Sequence, residues 1–325
     1  MNVSSVVNKS IELYNDDKFE GSYNLLKKLL NKNIDFNTLS IIYYNMGLCK
    51  YSLKSYKDAQ RCYLKSISLG FECQYELFLT LLQMGDLDEG SKYWYSRCEG
   101  TRKSYPNLPL PRLKFNMDSK SILVLNEQGF GDELLFSRQI KYLSSKYEKV
   151  SYQVYEENLE LFNQYFKFDN VTFFTDRNLK YEFVIEHNHF LMSGDFLFNL
   201  INENYIIESN SDIKYDIGFC WSANSKSKNT KERSIDPYLL TEKFKDKKVL
   251  SLQWNEKLEF TDYEPINNLL DTANNILKCD EIWTIDTVVA HLALILGKKV
   301  NLLYKDYLDW RWVNNLYKDI NFIKV

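Results

Sequence analysis

EIWTIDTVVAHLALILGKKVNLLY, residues 281–304, decides the fold. EIWTI is a short β-branched and aromatic run, VVAHLALIL is apolar at helical spacing, and KVNLLY reads as a second strand. Strand, helix, strand with short connections implies a parallel pair joined by a right-handed crossover. The same order recurs on the N-terminal side. SILVLNE at 121–127, KVSYQVY at 149–155, NVTFF at 170–174 and YEFVIEH at 181–187 read as one series of strands, each followed by a helix. YDIGFCWS at 215–222 and KVLSLQW at 248–254 open a second series that ends in the quoted segment. Two tandem series predict two Rossmann-like lobes facing a cleft, residues 119–212 and 213–325, with ligands beyond the carboxyl ends of the strands.

The first hundred residues carry a different period. Apolar positions recur three and four apart, as at Tyr23, Leu26, Leu29 and Leu30, and again at Ile42, Tyr43 and Met46, so the segment reads as helix throughout. Three turn-like stretches stand in register: NDDKFEGSYNLL at 15–26, SLKSYKDAQRCY at 52–63 and QMGDLDEGSKYW at 83–94. In each, Phe19, Tyr56 or Leu87 precedes a small residue (Ser22, Ala59, Gly90) by three. Gly47 and Ala59 sit where two helices must approach closely, with Tyr43 and Tyr63 to fill the adjoining groove. Spacings near 34 residues resemble tetratricopeptide repeats, which gives a helical repeat domain over 1–104. Such a surface either grips a peptide, a glycan carrier or a partner subunit, or only supports the rest of the chain. Three of the five prolines cluster in YPNLPLPR, 105–112, so a linker is expected over 105–118.

Composition excludes several classes. Of 325 residues, 45% are hydrophobic and 26% charged, which is ordinary globular usage rather than disorder. A net charge of −3 supplies no attraction to nucleic acid or anionic lipid. The start MNVSSVVNKS lacks the pattern of an export signal, and the apolar stretch around Val288–Leu296 is too short for a transmembrane segment. Cys49, Cys62, Cys73, Cys98, Cys220 and Cys279 form no Cys-x-x-Cys pair, so no metal site is expected and the thiols read as small buried hydrophobes of a cytoplasmic protein.

Three segments carry chemistry. Glu127-Gln128-Gly129-Phe130-Gly131-Asp132 joins the first strand to a helix, and its two glycines let the turn bend and bring backbone N–H groups near a ligand. Asp132 there is either a functional carboxylate or the cap of the following helix. CWSANSKSKNTKERS, 220–234, offers Ser222, Asn224, Ser225, Lys226, Lys228, Lys231 and Arg233, donors and cations suited to a diphosphate or simply a solvated charge run. In TIDTVVAH, 284–291, a strand runs straight into a helix, and the N–H groups after Asp286 point out of the ligand edge with the helix dipole behind them. Thr287 and His291 share a face of that helix; the histidine is either a ligand group or a satisfied core residue.

Together EQGFGDELLFSRQIKYL, GFCWSANSKSKNTKERSI, VLSLQ, DTANNILKCDEIWTIDTVVAHLALILGKKVNLL and DWRW resemble the successive motifs of family-nine, heptosyltransferase-like glycosyltransferases fused to tetratricopeptide repeats. The resemblance covers about 119–312. It implies a GT-B fold and inverting, metal-independent transfer from a nucleotide-diphosphate sugar, with no cofactor, to a glycan, lipid-linked or protein acceptor. It also implies that Asp132 is the general base, with Glu127, Gln128, Gly129 and Gly131 forming the acceptor-side loop. Ser222, Asn224, Lys226 or Lys228, Arg233, Gln253, Asp286, Thr287 and His291 would then hold the donor. The alternative is an adaptor whose repeats bind a partner and whose nucleotide site no longer turns over.

Overall fold

The computed structural model describes residues 2–98, 108–200, 206–207, 212–223, 230–314, 316–317 and 320–325. The chain forms two compact units, residues 1–106 with 309–315, and residues 107–308 with 316–325.

The first unit is helical: α1 Val3–Asn15, α2 Phe19–Lys27, α3 Phe36–Ser52, α4 Tyr56–Ser68, α5 Gln74–Gln83 and α6 Leu87–Ser91. Each helix packs against the next. The turns α1–α2, α3–α4 and α5–α6 share one geometry. A left-handed residue stands at Asp17, Lys54 and Gly85, with φ of 60°, 58° and 78°. The next residue's N–H reaches back to a carbonyl near the end of the preceding helix, Lys18 to Leu13, Ser55 to Lys50 and Asp86 to Leu81. The three stretches that stand in register in the sequence therefore meet in the same kind of turn. Gly47 lies against the ring of the buried Tyr63, where an added Cβ would fall 2.5 Å from Cε1.

The second unit holds two parallel sheets. In the first, β1 Ser121–Leu125, β2 Lys149–Gln153, β3 Val171–Phe174 and β4 His189–Met192 lie in the order β3-β2-β1-β4. Helices α7 Phe130–Ser137, α8 Ile140–Lys146, α9 Leu159–Tyr165 and α10 Tyr181–Val184 connect them. The second sheet contains β5 Tyr215–Cys220, β6 Val249–Ser251, β7 Asp262–Tyr263, β8 Cys279–Ile285, β9 Lys299–Tyr304 and β10 Ile320–Lys324, in the order β10-β9-β8-β5-β6-β7. Its helices are α11 Thr230–Arg233, α12 Thr241–Phe244, α13 Leu269–Leu277 and α14 Val288–Ile295, while α15 Trp310–Val313 belongs to the first unit. Strands buried on both faces read as apolar runs, and the core of the second sheet gathers Ile217, Phe219, Trp221, Val249, Trp283, Ile285 and Leu303. In each sheet the order reverses beside the first strand. The crevice at a parallel sheet's carboxyl edge therefore opens after β1, and between β5 and β8.

Three expectations are corrected. YEFVIEH is not a strand: Tyr181–Val184 is a helical turn, and the strand is His189–Met192, whose backbone finds β1 as partner. The expected linker is only partly one. Residues 105–107 lie outside the described residues, but Leu113 N–H donates to Phe190 O at 2.7 Å and Phe190 N–H to Pro111 O at 3.1 Å, so 111–113 runs along β4. Arg112 is further fixed by a two-pronged ion pair to the buried Asp195. Residues 309–315, read with the C-terminal lobe, cluster with the helices instead. Trp310 packs on Phe78 and Trp94 at ring-centroid distances of 5.9 and 6.2 Å, and Asn314 Nδ2 donates to Leu82 O at 2.8 Å.

Candidate functional site

The loop after β1 places Glu127, Gln128, Gly129 and Gly131. Glu127 Oε1 accepts from Gly194 N–H at 2.8 Å, which fixes the loop to the end of β4. Gln128 has φ of 61° and its carbonyl accepts from the Tyr155 hydroxyl, so the left-handed turn falls on glutamine rather than glycine. Gly129 is extended. The requirement for glycine is at Gly131, where a Cβ would meet His291 Cδ2 at 3.0 Å and Nε2 at 3.4 Å. Asp132 is not the cap residue of α7 but its third, and its Oδ2 accepts from Gly129 N–H at 3.4 Å.

Across from this loop, α14 starts at the end of β8. Thr287 is its cap residue but makes no side-chain capping bond, and of the first-turn groups Ala290 N–H turns back to Thr287 O at 3.1 Å. Arg233 Nη1 donates to Asp286 O at 3.2 Å and stands 3.8 Å from Asp286 Oδ2. After β5, Ser222 N–H donates to Gln253 Oε1 at 3.0 Å and Ala223 N–H to Ser234 Oγ at 3.1 Å, which anchors the start of the loop. Asn224, Lys226 and Lys228, with Ser225, lie outside the described residues. His291 is 4% exposed, and its Nδ1 pairs with the Tyr317 hydroxyl at 2.8 Å. Tyr317 in turn lies under the Arg138 guanidinium, 5.1 Å from the ring centroid.

A cleft of about 470 Å³ opens here. Ser222, Arg233, Gln253 and Thr287 line it, whereas His291, Asp132 and Asp286 do not. Its walls also include residues that the sequence did not single out. Phe130, Leu252, Trp254 and Ile266 are apolar, and Asn158, Asn267, Asn268 and Thr272 are polar. Strand order arranges them, from Thr287 after β8 to Ser222 after β5, Gln253 and Trp254 after β6, and Ile266 after β7. Three strand spacings of ~4.8 Å make this run about 14 Å long. Cys220 lines the cleft as a protonated thiol, because burial pushes it up to about 11.

Beside Asp132, Glu133 is fully buried. Its Oε1 accepts from Tyr155 N–H at 2.9 Å and its Oε2 from Asn158 Nδ2. Burial pushes its carboxyl from 4.5 up to about 7, against the opposing pull of those two hydrogen bonds. Sequence reading passed over it because nothing marks which of two adjacent carboxylates turns inward.

No family model and no curated protein matches this sequence. Among solved structures the chain is similar to E. coli heptosyltransferase WaaC with ADP, at 9% identity over 63% of this chain and 93% of that one, with a TM-score of 0.46. It is similar also to the glycosyl transferase family 9 protein of Veillonella parvula, at 12% identity over 65% and 87%, with a TM-score of 0.46. A mutant O-GlcNAc transferase of Thermobaculum terrenum spans 98% of this chain and 86% of its own at 10% identity, with a TM-score of 0.30. Scores and identities this low describe a likeness and identify no family.

Proposed function

We propose that the second unit is an inverting, metal-independent glycosyltransferase that moves a sugar from a nucleotide diphosphate to a hydroxyl acceptor. One observation carries the reading. The uncapped start of α14, with Arg233 beside it, forms an anion end at one side of a run about as long as a nucleoside diphosphate, some 14 Å across the strand ends. The Gly131–His291 contact puts the Asp132 loop against the same helix. In the reaction the acceptor oxygen bonds to the anomeric carbon as its proton passes to the Asp132 carboxylate. The bond from that carbon to the diphosphate oxygen breaks on the opposite face, and the leaving charge is met by Arg233, Thr287 and the helix N–H groups. Asn224, Lys226 and Lys228 belong to this anion end by sequence. Gln253 and Asp286 hold the loop and Arg233, and His291 sets the lobe contact rather than touching the donor. The helices of the first unit are read as tetratricopeptide-like, and they either bind the acceptor or a partner or support the rest of the chain.

Thermal shift against nucleoside diphosphates and their sugars tests the reading. A ligand at a hundredfold over its Kd stabilises by about 2.7 kcal/mol, and at least one should do so without added divalent metal. Asp132→Ala should then abolish transfer and keep the shift. Silence across the panel sinks the nucleotide site. Binding without turnover under any acceptor favours the adaptor, in which the same site holds a nucleotide only as a structural ligand.

A further inference from the structure

Asn158 occupies the position before α9, where an asparagine ordinarily accepts an N–H from the first helical turn. It makes no such bond. Its Nδ2 donates to Glu133 Oε2, while Oδ1 is buried and has no hydrogen-bond partner, although Asn158 lines the cleft. The arrangement has a direction. Above about pH 7, where Glu133 is ionised, its carboxylate only accepts hydrogen bonds, and it already takes Tyr155 N–H on its other oxygen. The amide nitrogen of Asn158 is therefore committed to Glu133, and the carbonyl is the end left without a donor, under the wall of the cleft that Asn158 helps to form. A buried carbonyl without a donor is unfavourable unless a ligand brings one.

The place of Asn158 narrows which part of a ligand that is. Its turn, Glu156–Asn158, packs against α13. That helix starts after β7, at the edge of the sheet, and packs against α14 as well as against the Asn158 turn. The neighbouring wall is apolar and aromatic, Trp254 and Ile266, with Asn267 and Asn268 beside it. This end suits a planar ring with polar edges better than a phosphate.

We propose that Asn158 reads the nucleoside end of the ligand, its Oδ1 accepting an N–H or O–H from the base or ribose, and that Glu133 is the positioning residue that holds the amide nitrogen and so leaves the carbonyl to the ligand. The proposal rests on the nucleotide reading above.

Titration calorimetry on the full chain at pH 8, where Glu133 is ionised, tests it, with the tightest of the adenosine, guanosine, cytidine and uridine diphosphates and, separately, inorganic pyrophosphate. Asn158→Ser keeps a hydroxyl donor for Glu133 but withdraws the carbonyl. It should weaken the nucleoside diphosphate roughly 5- to 20-fold and leave pyrophosphate unchanged. Glu133→Gln carries the same test with Asn158 intact, and stands in should the serine variant fail to fold. Its amide must accept from Tyr155 N–H and so donates toward Asn158, which turns the Asn158 nitrogen outward, and the same selective loss follows. A purely structural pair would weaken both ligands equally, and that result, or no loss at all, overturns the proposal alone. Failure of the wild type to bind either probe overturns the nucleotide reading with it.

Discussion

Gly131 and His291 meet closely: a Cβ at Gly131 would stand 3.0 Å from the imidazole Cδ2, so any side chain there requires the ring to give way. The ring is held by the Tyr317 hydroxyl at its other side and has little room to yield. Gly131→Val should therefore push α7 from α14 and cost about 1–3 kcal/mol in urea unfolding, the usual range for overpacking. Unchanged stability would mean that the two helices are not in this contact.

The helical unit has its own close approach. Gly47→Ala adds a methyl that would lie 2.5 Å from the Tyr63 ring, which is 1% exposed and so enclosed. Alanine improves helix propensity by about 1 kcal/mol, and overpacking costs roughly 1–3 kcal/mol. The expected net result is a lower thermal midpoint. A gain in midpoint would show that α3 and α4 separate without penalty.

Glu133 should give the protein a pH-dependent stability. Its carboxyl rises from 4.5 to about 7 on folding, so the folded chain retains a proton that the unfolded chain has lost across this window. The stabilisation is complete below 4.5 and is lost as pH rises through about 7. At about 1.4 kcal/mol per pH unit the full loss is of the order of 3 kcal/mol. Denaturant unfolding of wild type and Glu133→Gln at pH 5 and pH 8 reads it directly. The glutamine variant should gain on the wild type as pH rises, and a difference independent of pH would place the titration elsewhere.

Arg233 faces the cleft beside Thr287 and is oriented by the Asp286 carbonyl. Arg233→Met keeps the length of the side chain and removes its charge. Hydrogen bonds to charged groups are worth about 1.5–3 kcal/mol, so pyrophosphate and nucleoside diphosphates should both weaken roughly 10- to 100-fold. Equal affinity for the wild type and the variant would move the anion end away from α14.

Seven strands were legible because each is an apolar run with turn residues on both sides: β1, β2, β3, β5, β6 and β9 fall within the segments that sequence assigns, and β8 begins two residues before its segment. The fourth was not. Tyr181–Val184 and His189–Met192 are both short and apolar, and only pairing with β1 selects the second. β7 spans two residues and carries no pattern of its own. The segment TIDTVVAH was legible as a strand entering a helix, which is a local signal. Asn158 was not, because its meaning comes from Glu133, distant in sequence, and from a capping bond it does not make. The glycines of the loop after β1 were legible as a turn but misread in cause, since Gly131 answers to a helix whose approach no local rule foretells.

Trp310 reaches the helical unit from the far side of residues 107–308, closing a cluster with Phe78 and Trp94. During synthesis, therefore, these helices cannot finish their aromatic cluster until the intervening residues have been made. A nascent chain stalled before residue 309 would carry an open hydrophobic seat on the helical unit, a surface for chaperones to hold until the tryptophan arrives.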